Sequence, residues 1–203
     1  RSILDLARQQ SIPLFPCTRN LLNRLAPSLH HQGLVASCET FPYRPLDIIF
    51  ERDLPLVLVA DHLQDPQNLG AIIRSAEAAG AGTIIIPEDR ATPVSPVVEL
   101  ASAGATAWLP VIRCVNLSRA VERLKRAGYW TVMLGAHGGQ SLFDFVPPRK
   151  LALVIGGETG VSPLLRKSAD FTVSIPMSGK SESLNASAAA AVALFEVRRR
   201  WPG

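Results

Sequence analysis

The chain has 203 residues, of which 47% are hydrophobic and 16 are proline. That length fills one good α/β core with a partial second unit beside it, and no stretch reads as a membrane span or a signal-peptide core. The 21 Lys and Arg against 17 Asp and Glu leave a net charge of +4, compatible with a polyanionic partner without demanding one.

Residues 1 to 45 read as part of a small domain. SILDLARQQSIP has the pattern of a helix leading into a strand, and HHQGLVASC that of another strand. A proline-containing stretch, FPYRPLDIIFERDLP, follows, with residues 46–54 expected as a linker before a larger domain at 55–203.

From Pro55 onward, short β-branched runs alternate with helical segments, the signature of βαβ units over a mostly parallel sheet with helices on both faces. LVLVA (56–60), TIIIP (83–87), YWTVML (129–134), LALVIG (151–156) and FTVSIP (171–176) are the predicted strands. Their continuous apolarity implies burial on both faces.

Between the first two strands, DPQNLGAIIRSAEAAG predicts a helix capped by Asp65, with Pro66 at its first position and Gly80 at its end. Leu69, Ile72, Ile73, Ala76 and Ala79 form its apolar stripe, which leaves Arg74 and Glu77 open to solvent or a partner. Ser95-Pro96 opens another helix, NLSRAVERLKRAG a third that ends at Gly128, and Ser162-Pro163 a fourth. The basic side of the third reads as a solvated face.

Cys17, Cys38 and Cys114 are odd in number and lack a CxxC pairing, and the histidines lack HxxxH spacing. Reduced thiols, a cytosol-like compartment and no metal are the expectation. GxGxxG is absent after the first strand, and GxxxxGK[ST] is absent throughout, which argues against a dinucleotide dehydrogenase or a P-loop NTPase.

Three segments follow strand ends, the edge where open parallel sheets bind ligands: DHLQDPQNLG, VIGGETGVSP and IPMSGKSESLNAS. Each has a structural reading beside a functional one. The glycines of VIGGETG serve a tight turn or a close approach to a ligand. Asn185 or Ser187 caps the final helix or faces a substrate.

In order along the chain, Asn68-x-Gly70-x-x-x-Arg74, then Gly156-x-Glu158, then Ile175-Pro176-Met177 followed by Ser183-Leu184-Asn185-x-Ser187, resemble the three motifs of the SpoU (TrmH) family of RNA ribose 2'-O-methyltransferases. The resemblance spans about residues 55 to 200 and is greatest to enzymes acting on a guanosine of large-subunit rRNA. The second motif is one residue shorter than the family's usual G-x-E-x-x-G.

The resemblance implies a SPOUT fold with a C-terminal trefoil knot, preceded by the C-terminal part of an L30e-like RNA-binding domain at residues 1–45. It implies S-adenosylmethionine held near Leu134, Gly135, Gly156, Ile175, Met177, Leu184 and Ala186, with Arg74, Asn68, Glu158, Ser183 and Asn185 as catalytic residues. It also implies a homodimer, an RNA substrate, and a cytoplasmic or organellar location. Arg90, Arg149, Lys150, Lys180 and Arg198 to Arg200 are candidate phosphate contacts. The alternatives are a non-catalytic RNA-binding protein on the same fold, methylation of a tRNA, or an unrelated α/β enzyme acting on a small molecule.

Overall fold

The computed structural model describes residues 3–27, 31–136 and 139–201 and divides into two compact units, Arg1–Thr40 and Phe41–Gly203.

The first unit contributes helices α1 (Ile3–Gln9) and α2 (Arg19–Leu25). Thr18 caps α2, its hydroxyl accepting from the Leu21 amide at 3.4 Å. The two strands expected here are not formed among the described residues: the stretches after α1 and after Gln32 run without ladder partners. Extended chain becomes sheet only when a neighbour takes its backbone hydrogen bonds, and no neighbouring strand does so here. His30, at the start of HHQGLVASC, lies outside the described residues.

The second unit begins earlier than the sequence suggests. Helix α3 (Ile48–Glu51) lies within the expected linker and buries Ile48 and Ile49. Arg44 donates its amide to the Val111 carbonyl at 2.8 Å, and Tyr129 donates its hydroxyl to the Leu54 carbonyl at 2.6 Å. The three apolar residues of DIIFER are too short a run to show a helical period, yet they pack on one face of the sheet.

The sheet comprises β1 (Leu56–Asp61), β2 (Thr83–Pro87), β3 (Val111–Cys114), β4 (Trp130–Gly135), β5 (Gln140–Ser141), β6 (Leu151–Gly156) and β7 (Phe171–Ser174). Their order is β3-β2-β1-β6-β4-β7-β5, and every pairing is parallel. Between them run α4 (Pro66–Ala78), α5 (Pro96–Ala101), α6 (Leu117–Arg126), α7 (Pro163–Ser168) and α8 (Ala186–Arg200).

Strand alternation sorts the side chains into two layers. Leu56, Leu58 and Ala60 of β1 pack with the α4 stripe, Val98 of α5 and Ala190, Ala193, Leu194 and Val197 of α8. Val57 and Val59 pack on the other face with Ile48, Ile49, Val121, Leu124 and Leu165. Each large aliphatic side chain so buried contributes about 1.5–3 kcal/mol, which makes the central strands the rigid base for whatever follows them.

Asp65 caps α4 through the Gln67 amide at 2.8 Å, and Gly80 ends it at φ +78°. Gly70 lets α5 lie against α4: a Cβ there would sit 2.5 Å from Ala101 Cβ and 2.7 Å from the Val98 carbonyl. The basic side of α6 is partly neutralised within the molecule, since Arg123 reaches Asp47 at 2.5 Å and Lys125 reaches Asp170 at 2.6 Å.

Candidate active site at the carboxyl edge of the sheet

β1 and β6 run side by side until Asp61 faces Gly156, and the chain then turns over this edge. The buried Asp61 organises the turn. Its carbonyl accepts from the Gly157 amide at 3.0 Å, and its Oδ2 accepts from the Ser162 amide at 2.6 Å. Its Oδ1 lies 2.5 Å from His62 Nδ1 without hydrogen-bond alignment, and is the one fully buried side-chain oxygen without a hydrogen bond among the described residues.

Gly156 must lack a side chain, because a Cβ would fall 2.2 Å from the Gly160 carbonyl carbon. The Gly160 amide closes the turn onto the Gly157 carbonyl at 2.9 Å, with Gly160 at φ +78°. The shortened second motif thus forms a compact loop with Glu158 and Thr159 exposed at its tip.

β7 leaves the sheet after Ser174, two residues before the sequence suggests, and Ile175 to Met177 run on toward α8. Asn185 caps α8: its Oδ1 accepts from the Ser187 amide at 2.8 Å and from the Ser187 hydroxyl at 2.6 Å. The cap uses the amide oxygen, and among the described residues the Asn185 NH2 group has no acceptor, which leaves it available to a ligand.

These ends enclose a cleft of about 810 Å³. Of the residues expected in the site, Asn68, Glu158, Ser183, Asn185, Leu134, Gly135, Gly156, Ile175, Met177, Leu184 and Ala186 all line it. Asn68 is 9% exposed, and its amide has no hydrogen bond among the described residues. Its polar atoms are open to the cleft, where a ligand can hydrogen-bond them.

Arg74 is not among the lining residues; it is exposed on α4 and has no ion pair among the described residues. Six residues on from Asn68 is about 600° of helical rotation and about 9 Å of rise, which puts the two on different faces. Arg166 and Glu182 line the cleft and carry charge, yet no motif signalled either. The only hint for Arg166 was its place four residues after the Ser162-Pro163 helix start.

Other candidates are engaged elsewhere. Lys150 pairs with Asp53 at 2.6 Å, and Arg199 and Arg200 both bind Glu196, at 2.7 and 2.9 Å. Arg90, Arg149, Lys180 and Arg198 are exposed. Burial pushes the Cys114 thiol up to about 11, so it is no nucleophile near neutrality. No cluster of three His, Cys, Asp or Glu side chains suited to a metal occurs among the described residues.

The SpoU rRNA methylase family model matches residues 55–195, which contain every strand and the whole lining of the cleft. The chain belongs to this family. Across 98% of its length it is 37% identical to YacO of Bacillus subtilis, named for the TrmH family of tRNA/rRNA methyltransferases, and covers 82% of that protein. It is 35% identical to the 23S rRNA (guanosine-2'-O-)-methyltransferase RlmB of Coxiella burnetii, with the same coverage of each chain.

Among solved structures, the SpoU methyltransferase AviRb of Streptomyces viridochromogenes, in complex with its cofactor AdoMet, superimposes with a TM-score of 0.70 at 37% identity. That likeness spans 78% of this chain and 65% of AviRb. The SpoU domain here therefore has an α/β fold with a seven-stranded, wholly parallel sheet.

Proposed function

We propose that this protein transfers a methyl group from S-adenosylmethionine to a ribose 2'-hydroxyl of RNA, a guanosine of large-subunit rRNA. The observation that carries this reading is the convergence of Asn68, Gly156 to Glu158 and Ser183 to Asn185, from three distant parts of the chain, on one cleft.

The cleft suits the cofactor. Its volume lies in the range of small-molecule sites, and its walls are largely small or apolar. Backbone amides and carbonyls at the strand ends beside Leu134, Gly135, Gly156, Ile175 and Met177 would read the adenine edge, with Leu184 and Ala186 enclosing it. When bound, the cofactor supplies a methyl group on a positively charged sulfur.

The protein's own task is to align the 2'-hydroxyl and to lower the cost of its developing negative charge. The Asn68 amide, the Ser183 hydroxyl and the free Asn185 NH2 are positioned to orient the ribose. Arg74 stays protonated, so it serves as a charge stabiliser and holds the adjoining phosphate, while a water or that phosphate accepts the proton. Glu158 orients the guanidinium. The exposed position of Arg74, outside the lining of its own cleft, supports a homodimer in which the site is completed at the two-fold seam.

The same reading includes a trefoil knot made by the segment leading into α8, and an L30e-like RNA-binding role for residues 1–45. The match of nearly the whole chain to bacterial rRNA methyltransferases supports both of these and a cytoplasmic location.

Unmodified 23S rRNA and a tRNA pool, each incubated with methyl-labelled cofactor and digested to nucleosides, should yield 2'-O-methylguanosine from the rRNA. Label on tRNA alone would overturn the substrate, and label on neither would overturn the activity. Arg74→Ala should lower turnover by about a hundredfold or more with cofactor affinity unchanged.

A further inference from the structure

Among the described residues lining the cleft, the charged side chains are Glu158, Glu182 and Arg166. Two carboxylates repel a substrate that brings a negative charge with every nucleotide. A polyanion is drawn in where a cation faces it, and among this cleft's own lining residues that cation is Arg166, apart from the Arg74 placed at the seam.

We propose that Arg166 is the phosphate anchor of this cleft, pairing with an RNA backbone phosphate next to the nucleotide to be methylated. The proposal rests on the functional reading above and extends it to a residue outside the three motifs.

The fold fixes where this side chain starts. The buried Asp61 carboxylate holds the Ser162 amide at 2.6 Å, and Leu165 is 2% exposed in the core beneath α7. One residue further, about 100° around the helix, Arg166 turns from the core to the cleft. Its Nη2 donates to the Val161 carbonyl at 3.4 Å and lies 3.7 Å from where a Gly160 Cβ would be, which sets it beside the loop carrying Glu158.

That long bond is the guanidinium's only hydrogen bond among the described residues, and it has no carboxylate partner there. Arg123, Lys125, Lys150, Arg199 and Arg200 are by contrast all tied to acids. A guanidinium with most of its five donors free, fixed at one end and open to solvent, fits a phosphate fork to fork. Its exposure puts it at the mouth of the cleft, where a polymer passes, rather than among the enclosing Leu134, Ile155 and Ile175. Inside the same cleft, the unpartnered Asn68 amide offers a second polar contact to the bound nucleotide.

The test measures 23S rRNA binding by the full chain, by filter retention from roughly 50 to 200 mM salt, with S-adenosylmethionine affinity measured by calorimetry in parallel. Arg166→Ala should weaken RNA binding about tenfold and reduce the slope of log affinity against log salt by about one, with cofactor affinity unchanged. Arg166→Lys should restore the slope, and matched melting curves should show that both variants fold. An unchanged slope overturns the anchor, as does a loss of cofactor affinity in Arg166→Ala, which would assign the guanidinium to the cofactor's carboxylate. Binding needs no turnover, so a wild-type protein that retains RNA but transfers no methyl group would overturn the functional reading without deciding this one.

Discussion

Two glycines four residues apart carry opposite burdens. Gly156 has an ordinary backbone but no room, since a Cβ would meet the Gly160 carbonyl carbon at 2.2 Å and the Val161 amide nitrogen at 2.5 Å. Gly160 has room but an unusual backbone, at φ +78° with only the Arg166 guanidinium within 4 Å. Gly156→Ala must therefore push the loop off the edge of β6. We expect S-adenosylmethionine affinity, read by calorimetry, to fall by a hundredfold or more. Gly160→Ala meets only the left-handed penalty, about 1 kcal/mol, and should bind within severalfold of wild type while melting a few degrees lower. The sequence alone could not separate the two, because spacing counts glycines without saying which is crowded and which is twisted. Asn185 shows the same limit from the other side. Capping a helix and facing a ligand looked like alternatives in the sequence, and the structure gives its oxygen to the cap and leaves its NH2 group free.

At the level of elements, α8 is fastened at its far end by charge. Glu196 accepts from Arg199 and Arg200, and those hydrogen bonds hold its carboxyl down to about 2. Arg200 also donates to the Phe143 carbonyl, and the Trp201 indole donates to the Pro147 carbonyl at 3.2 Å. A carboxyl depressed in the folded state stabilises it above the unfolded value of 4.5, and that contribution disappears as pH falls toward about 2. The melting temperature of wild type should thus exceed that of Glu196→Gln by a constant margin near neutrality. The margin should shrink below about pH 4.5 and vanish near pH 2. Gly70 carries the other helix contact: in Gly70→Ala the new methyl forces α4 from α5 at about 1–3 kcal/mol, visible as a melting point lower by roughly 3–10 °C. The central strands β1, β2, β4 and β6 were legible because burial on both faces demands continuous apolar runs. The two strands that escaped, β3 and β5, are the sheet's outer edges. There, four and two residues suffice, and one side of the ladder has no neighbour to constrain composition.

For the molecule as a whole, the open question is what covers α8. One stripe of this helix, Ala190, Ala193, Leu194 and Val197, is buried against α4 and the sheet. A second stripe, Ala188, Val192 and Phe195, follows the same i, i+4, i+7 spacing and is exposed, with Phe195 50% accessible. A helix that is apolar on two sides belongs between two partners, and the layer of α4 and the sheet supplies only one. The alanines of ASAAAAVAL are plain in the sequence, but which of them point outward is not. A second copy of the chain is the occupant proposed here, since a two-fold contact would match the stripe with itself and bring two SpoU domains together near the start of α8, where both Ser183 and Asn185 stand. Wild-type protein at about 10 μM should sediment as a dimer, and Phe195→Glu, which sets two like charges against each other at the axis, should sediment as a monomer with its melting curve nearly intact. If Arg74 acts across the seam, methyl transfer should fall in that variant to the level of Arg74→Ala, with no further loss when the two changes are combined. A wild-type monomer at that concentration would remove the dimer, and an active Phe195→Glu monomer would return Arg74 to the cleft of its own chain.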